Sequence, residues 1–168
     1  PEILTEASTY NISNLNLGYF ETKKIAEEIV VKAAKDKHIN AICVNPATIY
    51  GFGDAKKGSR KTQVKVARHK FPFYTSGGVN VVAVEDVIEG ILLALKHGKN
   101  GERYILANEN ITIKTLFTKI AGFAGVKPPS LYMPNWALHA IGLTGDLLEK
   151  IDTHIGVSRE NALTATMF

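Results

Sequence analysis

The feature that most restricts the fold is the run Ile39–Asn45 (INAICVN), which is almost unbroken in its apolar character and lacks the in-out alternation of a half-solvated strand. Such a strand is stable only with both faces covered, which implies a parallel sheet layered by helices. Pro46 stops the run, because it has no N–H to continue a ladder. One covering layer is legible just upstream. From Leu17 to about Lys37, the residues Ile25, Ala26, Ile29, Val30, Ala33 and Ala34 recur at the i, i+3, i+4 spacing of an amphipathic helix rich in good helix formers.

The alternation continues downstream. Val79 to Val84 is a second β-branched strand. Asp86 with Glu89 three residues later reads as a capping box opening a helix from Val87 to Lys96, which His97-Gly98 closes. Glu102 to Ala107 reads as a third strand. Thr112 is placed to cap a helix reaching Gly122 or Ala124, Pro128-Pro129 bars its continuation, and Asn135 starts a last long helix. Tyr50 to Gly78 reads as an excursion from the core, with a short helix around Thr62 to His69 and a turn at Gly77-Gly78. Strands alternating with helices of this length predict an α/β fold with right-handed parallel crossovers.

Several function classes are excluded by composition. The chain has 168 residues, room for one domain or slightly more, and its 45% hydrophobic and 21% charged content argues against disorder, collagen-like repeats and coiled coil. The single cysteine, Cys43, allows no internal disulfide or zinc-type spacing, and its place in an apolar run marks it as packing rather than nucleophile. A reducing, cytoplasmic setting is therefore expected. The five histidines are scattered and predict no metal site. The longest strictly apolar run, Ile91 to Leu95, predicts no membrane span, and Pro1-Glu2 does not open a signal sequence.

Charge is unevenly spread. The net value is +4, yet Lys56, Lys57, Arg60, Lys61, Lys65, Arg68 and Lys70 place seven positives and no acid within fifteen residues. Such a run is most often a solvated helix face; it also suits a phosphate-bearing ligand or, less well, nucleic acid, since no interleaved aromatics or RNP-like motif accompany it. No nucleic-acid partner is expected. Gly53 to Gly58 has the gap of a phosphate-cradling loop, but Ser59-Arg60 stands where Lys-Ser/Thr is needed, so a loop is the simpler reading.

Tyr19 and Lys23 stand four apart near the start of the first helix, on one face and one turn apart. A phenol with an ordinary pKa near ~10 is a poor base at neutral pH, and an adjacent ammonium favours the phenolate. The spacing thus suits proton transfer, although it also arises by simple surface pairing.

Four blocks follow in order: Gly18-Tyr19-Phe20-Glu21-Thr22-Lys23-Lys24-Ile25-Ala26-Glu27, Ile42-Cys43-Val44-Asn45-Pro46-Ala47-Thr48-Ile49-Tyr50-Gly51, Val82-Ala83-Val84-Glu85-Asp86-Val87 and Gly101-Glu102-Arg103-Tyr104-Ile105-Leu106. Together they strongly resemble the carboxyl-terminal portion of the extended short-chain dehydrogenases/reductases. The likeness is greatest to the NAD-dependent epimerase/dehydratase and dihydroflavonol-4-reductase-like branch.

The resemblance implies the second half of a Rossmann-type doubly wound parallel sheet plus a small, mostly helical substrate-binding region. Residues 1–52 and 79–108 would form the former, 53–78 and 109–168 the latter. It implies that Tyr19 exchanges the substrate proton and that Lys23 holds the nicotinamide ribose and the phenolate. Asn45 would face substrate, and Pro46, Ala47, Thr48 and Ile49 would line the nicotinamide carboxamide of NAD or NADP. Arg60 and Lys61 would meet a small-molecule substrate, either a nucleotide sugar or a small carbonyl/hydroxyl compound.

A homodimer pairing through the first helix is expected by the same likeness. The family's glycine-rich loop and its assisting Ser/Thr belong farther upstream than the eighteen residues before Tyr19, so the chain is expected to be part of an enzyme and inactive alone. Ala83 departs from the histidine that relatives often carry there. Trp136, Tyr132 and Met133 would line a pocket or fill a core. A non-catalytic binding protein on the same scaffold is the alternative, and the retained Tyr19/Lys23 pair counts against it.

Overall fold

The computed structural model describes residues 4–15, 17–53, 60–138 and 140. In chain order the elements are a 3-10 turn at Ser13–Leu15, α1 (Gly18–Lys35), β1 (Cys43–Pro46), β2 (Thr48–Tyr50), α2 (Lys61–Ala67), β3 (Phe73–Tyr74), β4 (Gly78–Ala83), α3 (Val84–His97), β5 (Arg103–Leu106), β6 (Glu109–Thr112), α4 (Ile113–Phe123) and β7 (Leu131–Tyr132). No helix among the described residues is long and apolar enough to cross a membrane. The chain divides into two units, Pro1–Phe52 with Val81–Glu109, and Gly53–Asn80 with Asn110–Phe168.

In the first unit β1 and β5 pair in parallel, with Cys43 opposite Arg103 and Pro46 opposite Leu106. Parallel pairing also joins β2 to β4, Thr48 facing Val81 and Tyr50 facing Ala83. α1 packs on β1, and α3 packs on β1, β2 and β5. The parallel α/β expectation therefore holds. Buried Leu17, Ala34, Val82, Val87 and Ala94 form the core of this unit. α1 begins without a side-chain cap; Glu21 in its first turn and Lys32 and Lys35 in its last complement the helix dipole instead.

The loop after α3 clamps the far end of α1. Asn100 accepts from Ala41 N at 2.8 Å through Oδ1 and donates Nδ2 to the Ala34 carbonyl at 2.9 Å. Gly101 beside it has φ +78, and a Cβ there would lie 2.9 Å from Lys35 Cγ, so both backbone and space require glycine.

In the second unit α2 packs on α4, and β3 pairs in parallel with β7, Phe73 opposite Leu131. Val66, Ile111, Leu116, Phe117 and Ala121 are its buried residues, and the Phe71 ring meets Phe73 and Phe117 edge-on. Thr112 caps α4 as expected, its hydroxyl accepting from Thr115 N at 3.1 Å.

The structure corrects several boundaries. The strand expected over Ile39–Asn45 is confined to Cys43–Pro46, because the close of α1 uses the residues before it. His38 N bonds the Ala33 carbonyl at 2.9 Å, and Lys37 takes φ +61. Pro46 ends β1 as a paired residue rather than lying beyond it. The capping box at Asp86 and Glu89 does not form: α3 starts at Val84 directly from β4, Ala83 is its N-cap, and Glu85 and Asp86 sit in the first turn. Short β2, β3, β6 and β7 carry too little pattern to read in advance. Residues 135–138 and 140 are helical, and the rest of the continuation expected of that helix lies outside the described residues.

Candidate active site

Tyr19 in the first turn of α1 and Lys23 one turn later come together on one face. Lys23 Nζ lies 5.7 Å from the centroid of the Tyr19 ring, a cation–π contact of about 0.5–1 kcal/mol at an exposed position. Phe20 packs edge-on against the same ring at 5.5 Å. Tyr19 remains 64% exposed. The helix period by itself accounts for this pairing.

Asn45 lies in β1 opposite Ile105. Its Nδ2 donates to Glu27 Oε2, eight residues along α1 from Tyr19 and on the same face. Glu27 Oε1 receives Arg103 Nη1 at 2.9 Å. The other guanidinium nitrogens reach the chain's early segment, Nε donating to the Glu6 carbonyl at 2.8 Å and Nη2 to the Ser8 carbonyl at 2.7 Å. Glu6 in turn accepts from Ile105 N at 3.0 Å. That backbone bond, with Arg103 nearby, holds the Glu6 carboxyl below the usual carboxylate range.

Burial, then the charge of Glu27, pushes the Cys43 thiol up, which disfavours the reactive thiolate. Glu27, Arg103 and Glu6 are site neighbours that sequence reasoning misses. Glu27 has a detectable signal, continuing the Tyr19, Lys23 spacing by one more turn, but its partners lie 18 and 76 residues away.

Pro46 closes β1, Ala47 N donates to the Leu106 carbonyl at 2.9 Å, and Thr48 and Ile49 open β2. This backbone follows the carboxyl end of a parallel strand, the place where open α/β sheets bind ligands. An exposed phenol, an ammonium with three donors and this backbone segment suit the nicotinamide and ribose of a dinucleotide. Arg60 and Lys61 belong to the second unit, at the N-cap and first residue of α2; Lys56 and Lys57 lie outside the described residues. That unit also holds a cavity of about 690 Å³ lined by residues 69–72 and 127–130, with none of the Tyr19 group among them. Among the described residues no three His, Cys, Asp or Glu side chains are grouped to hold a metal ion.

Comparison with known proteins agrees with the parallel α/β fold. A family model described as "NAD dependent epimerase/dehydratase family" matches residues 2–107. A protein of Synechocystis sp. assigned by name as a dihydroflavonol 4-reductase is 32% identical over 123 residues, covering 70% of this chain and 36% of that protein. Sterol demethylase protein B of Methylococcus capsulatus is 29% identical over 133 residues, covering 79% and 40%. The crystal structure of a nucleoside-diphosphate-sugar epimerase from Pseudomonas aeruginosa superposes with a TM-score of 0.70 at 22% identity, covering 85% of this chain and 45% of that one. The chain thus spans less than half the length of these relatives.

Proposed function

We propose, because this chain belongs to the NAD-dependent epimerase/dehydratase family, that it is the later portion of an extended short-chain oxidoreductase or epimerase using NAD or NADP. Its substrate is a nucleotide sugar or a small carbonyl/hydroxyl compound. The bound nicotinamide supplies or accepts hydride, and the protein's residues do the rest.

Tyr19 exchanges a proton with the substrate hydroxyl or carbonyl through its exposed phenol. Lys23 donates to the ribose and steadies negative charge on Tyr19. Asn45 hydrogen-bonds the substrate, the Pro46, Ala47, Thr48 and Ile49 backbone lines the carboxamide, and Arg60 and Lys61 attract an anionic substrate group. The observation that carries this reading is the Lys23 ammonium seated over the ring of an open Tyr19. Residues 1–52 and 79–108 act in it as the dinucleotide-binding part, and 53–78 and 109–168 as the substrate-binding part.

In the complete enzyme, Tyr19→Phe is expected to lower kcat by roughly 10²- to 10⁴-fold with cofactor binding retained; steady-state kinetics giving an unchanged kcat would end the proposal. The 168-residue chain alone is expected to show no NAD(P)-dependent turnover. Reversing charge at Arg60 and Lys61 is expected to raise substrate KM without altering kcat, and a KM equal to that of the unsubstituted enzyme would remove those residues from the site. A second copy pairs through α1, whose Ile25 and Ile29, one turn apart, are 53% and 64% exposed.

A further inference from the structure

Glu27 is the point where the helix carrying the phenol meets the strand carrying the amide. Its side chain is only 20% exposed, and its two oxygens are both engaged, Oε1 by Arg103 Nη1 at 2.9 Å and Oε2 by Asn45 Nδ2. Arg103 cannot turn away cheaply, since its remaining nitrogens hold the Glu6 and Ser8 carbonyls and its backbone is paired in β5. An ionised carboxylate offers only acceptors, so the atom of Asn45 that faces it must be nitrogen. The carbonyl oxygen Oδ1 is therefore directed away from Glu27.

We infer that Glu27 is a positioning residue that sets which way round the Asn45 amide stands, and so whether this strand offers substrate an acceptor or a donor. The inference rests on the proposed contact of Asn45 with substrate. It adds a determinant of that contact on the same helix face as Tyr19 and Lys23, and it accounts for the cost of keeping an ion pair half-buried at this point.

Glu27→Gln, nearly the same in shape, separates orientation from support. Arg103 is a pure donor and claims the oxygen of the introduced side-chain amide; the nitrogen of that amide then faces Asn45, whose own amide must turn over to present Oδ1 to it. The count of hydrogen bonds survives while the polarity shown to substrate reverses. In the complete enzyme, kcat/KM is expected to fall about 10- to 100-fold, the size of a buried hydrogen bond made with the wrong partner. The melting temperature should stay within a few degrees and cofactor affinity should not change.

With [15N]asparagine labelling, the Asn45 side-chain NH2 pair, identified by its loss in Asn45→Asp, should exchange more slowly than that of free asparagine and move in Glu27→Gln. Freely exchanging Asn45 signals in the unsubstituted enzyme would overturn the inference whether or not the variant folds. So would signals and kcat/KM that Glu27→Gln leaves unaltered, or an activity loss that only follows a loss of folded protein. Tyr19→Phe measured alongside keeps the two claims apart. Unchanged turnover in that variant defeats the proposed reaction, whereas the amide signals still report on Glu27.

Discussion

Single side chains in this protein act through charge placed where backbone or amide groups can use it. Glu6 illustrates the effect on stability. Its carboxyl is held below its ordinary value of 4.5 by the Ile105 N–H it accepts, with Arg103 adding to this. A carboxylate whose folded pKa is depressed stabilises the fold above its unfolded pKa, and that contribution is lost as pH falls through the folded value. Melting temperature is therefore expected to drop as pH falls below about 4.5, in part through Glu6. Glu6→Gln should melt lower than the unsubstituted chain at about pH 7, and the two curves should converge in acid. Parallel curves across that range would show that Glu6 plays no part. Tyr19 and Lys23 are legible as a pair because four residues is one helical turn. Asn45 is legible as a position in a strand, but its bond to Glu27 is not, since nothing local links residues 18 apart on different elements.

At the level of elements, the legible ones are those with enough length to show a period. α1, α3 and α4 run for 18, 14 and 11 residues and stand nearly where the spacing predicts them. Strands of two to four residues, such as β3, β6 and β7, have no room to display alternation. Caps divide in the same way. Thr112 caps α4 as its sequence suggests, and Thr112→Ala is expected to cost about 1 kcal/mol, measurable as a lower chemical-denaturation midpoint at unchanged slope; an unaltered midpoint would mean the bond to Thr115 N contributes nothing. The Asp86/Glu89 box fails because a capping residue must stand outside the helix, and the chain turns helical at Val84, where β4 ends. The strand's pairing with β2 decides where the helix can begin.

At the scale of the whole molecule, the proposed pairing of two copies uses the face of α1 that leaves Ile25 and Ile29 in solvent. The complete enzyme is expected to sediment at twice its chain mass, and replacing both isoleucines with lysine is expected to yield the monomer; a monomer without substitution would rule out pairing. The family model covers residues 2–107 of a chain that spans 36% to 45% of the relatives described above. The amino-acid order by itself determined the α/β alternation, the parallel character of the sheet and the shared face of Tyr19 and Lys23, because each follows from a period of about two or 3.6 residues or from an apolar run. Tertiary structure alone decided that Arg103, 76 residues from Glu27, pairs with it, and that Asn45 presents nitrogen to the same carboxylate. Those contacts arise from the parallel register of β1 on β5 and the docking of α1 on β1, and no local rule of sequence carries information across such separations.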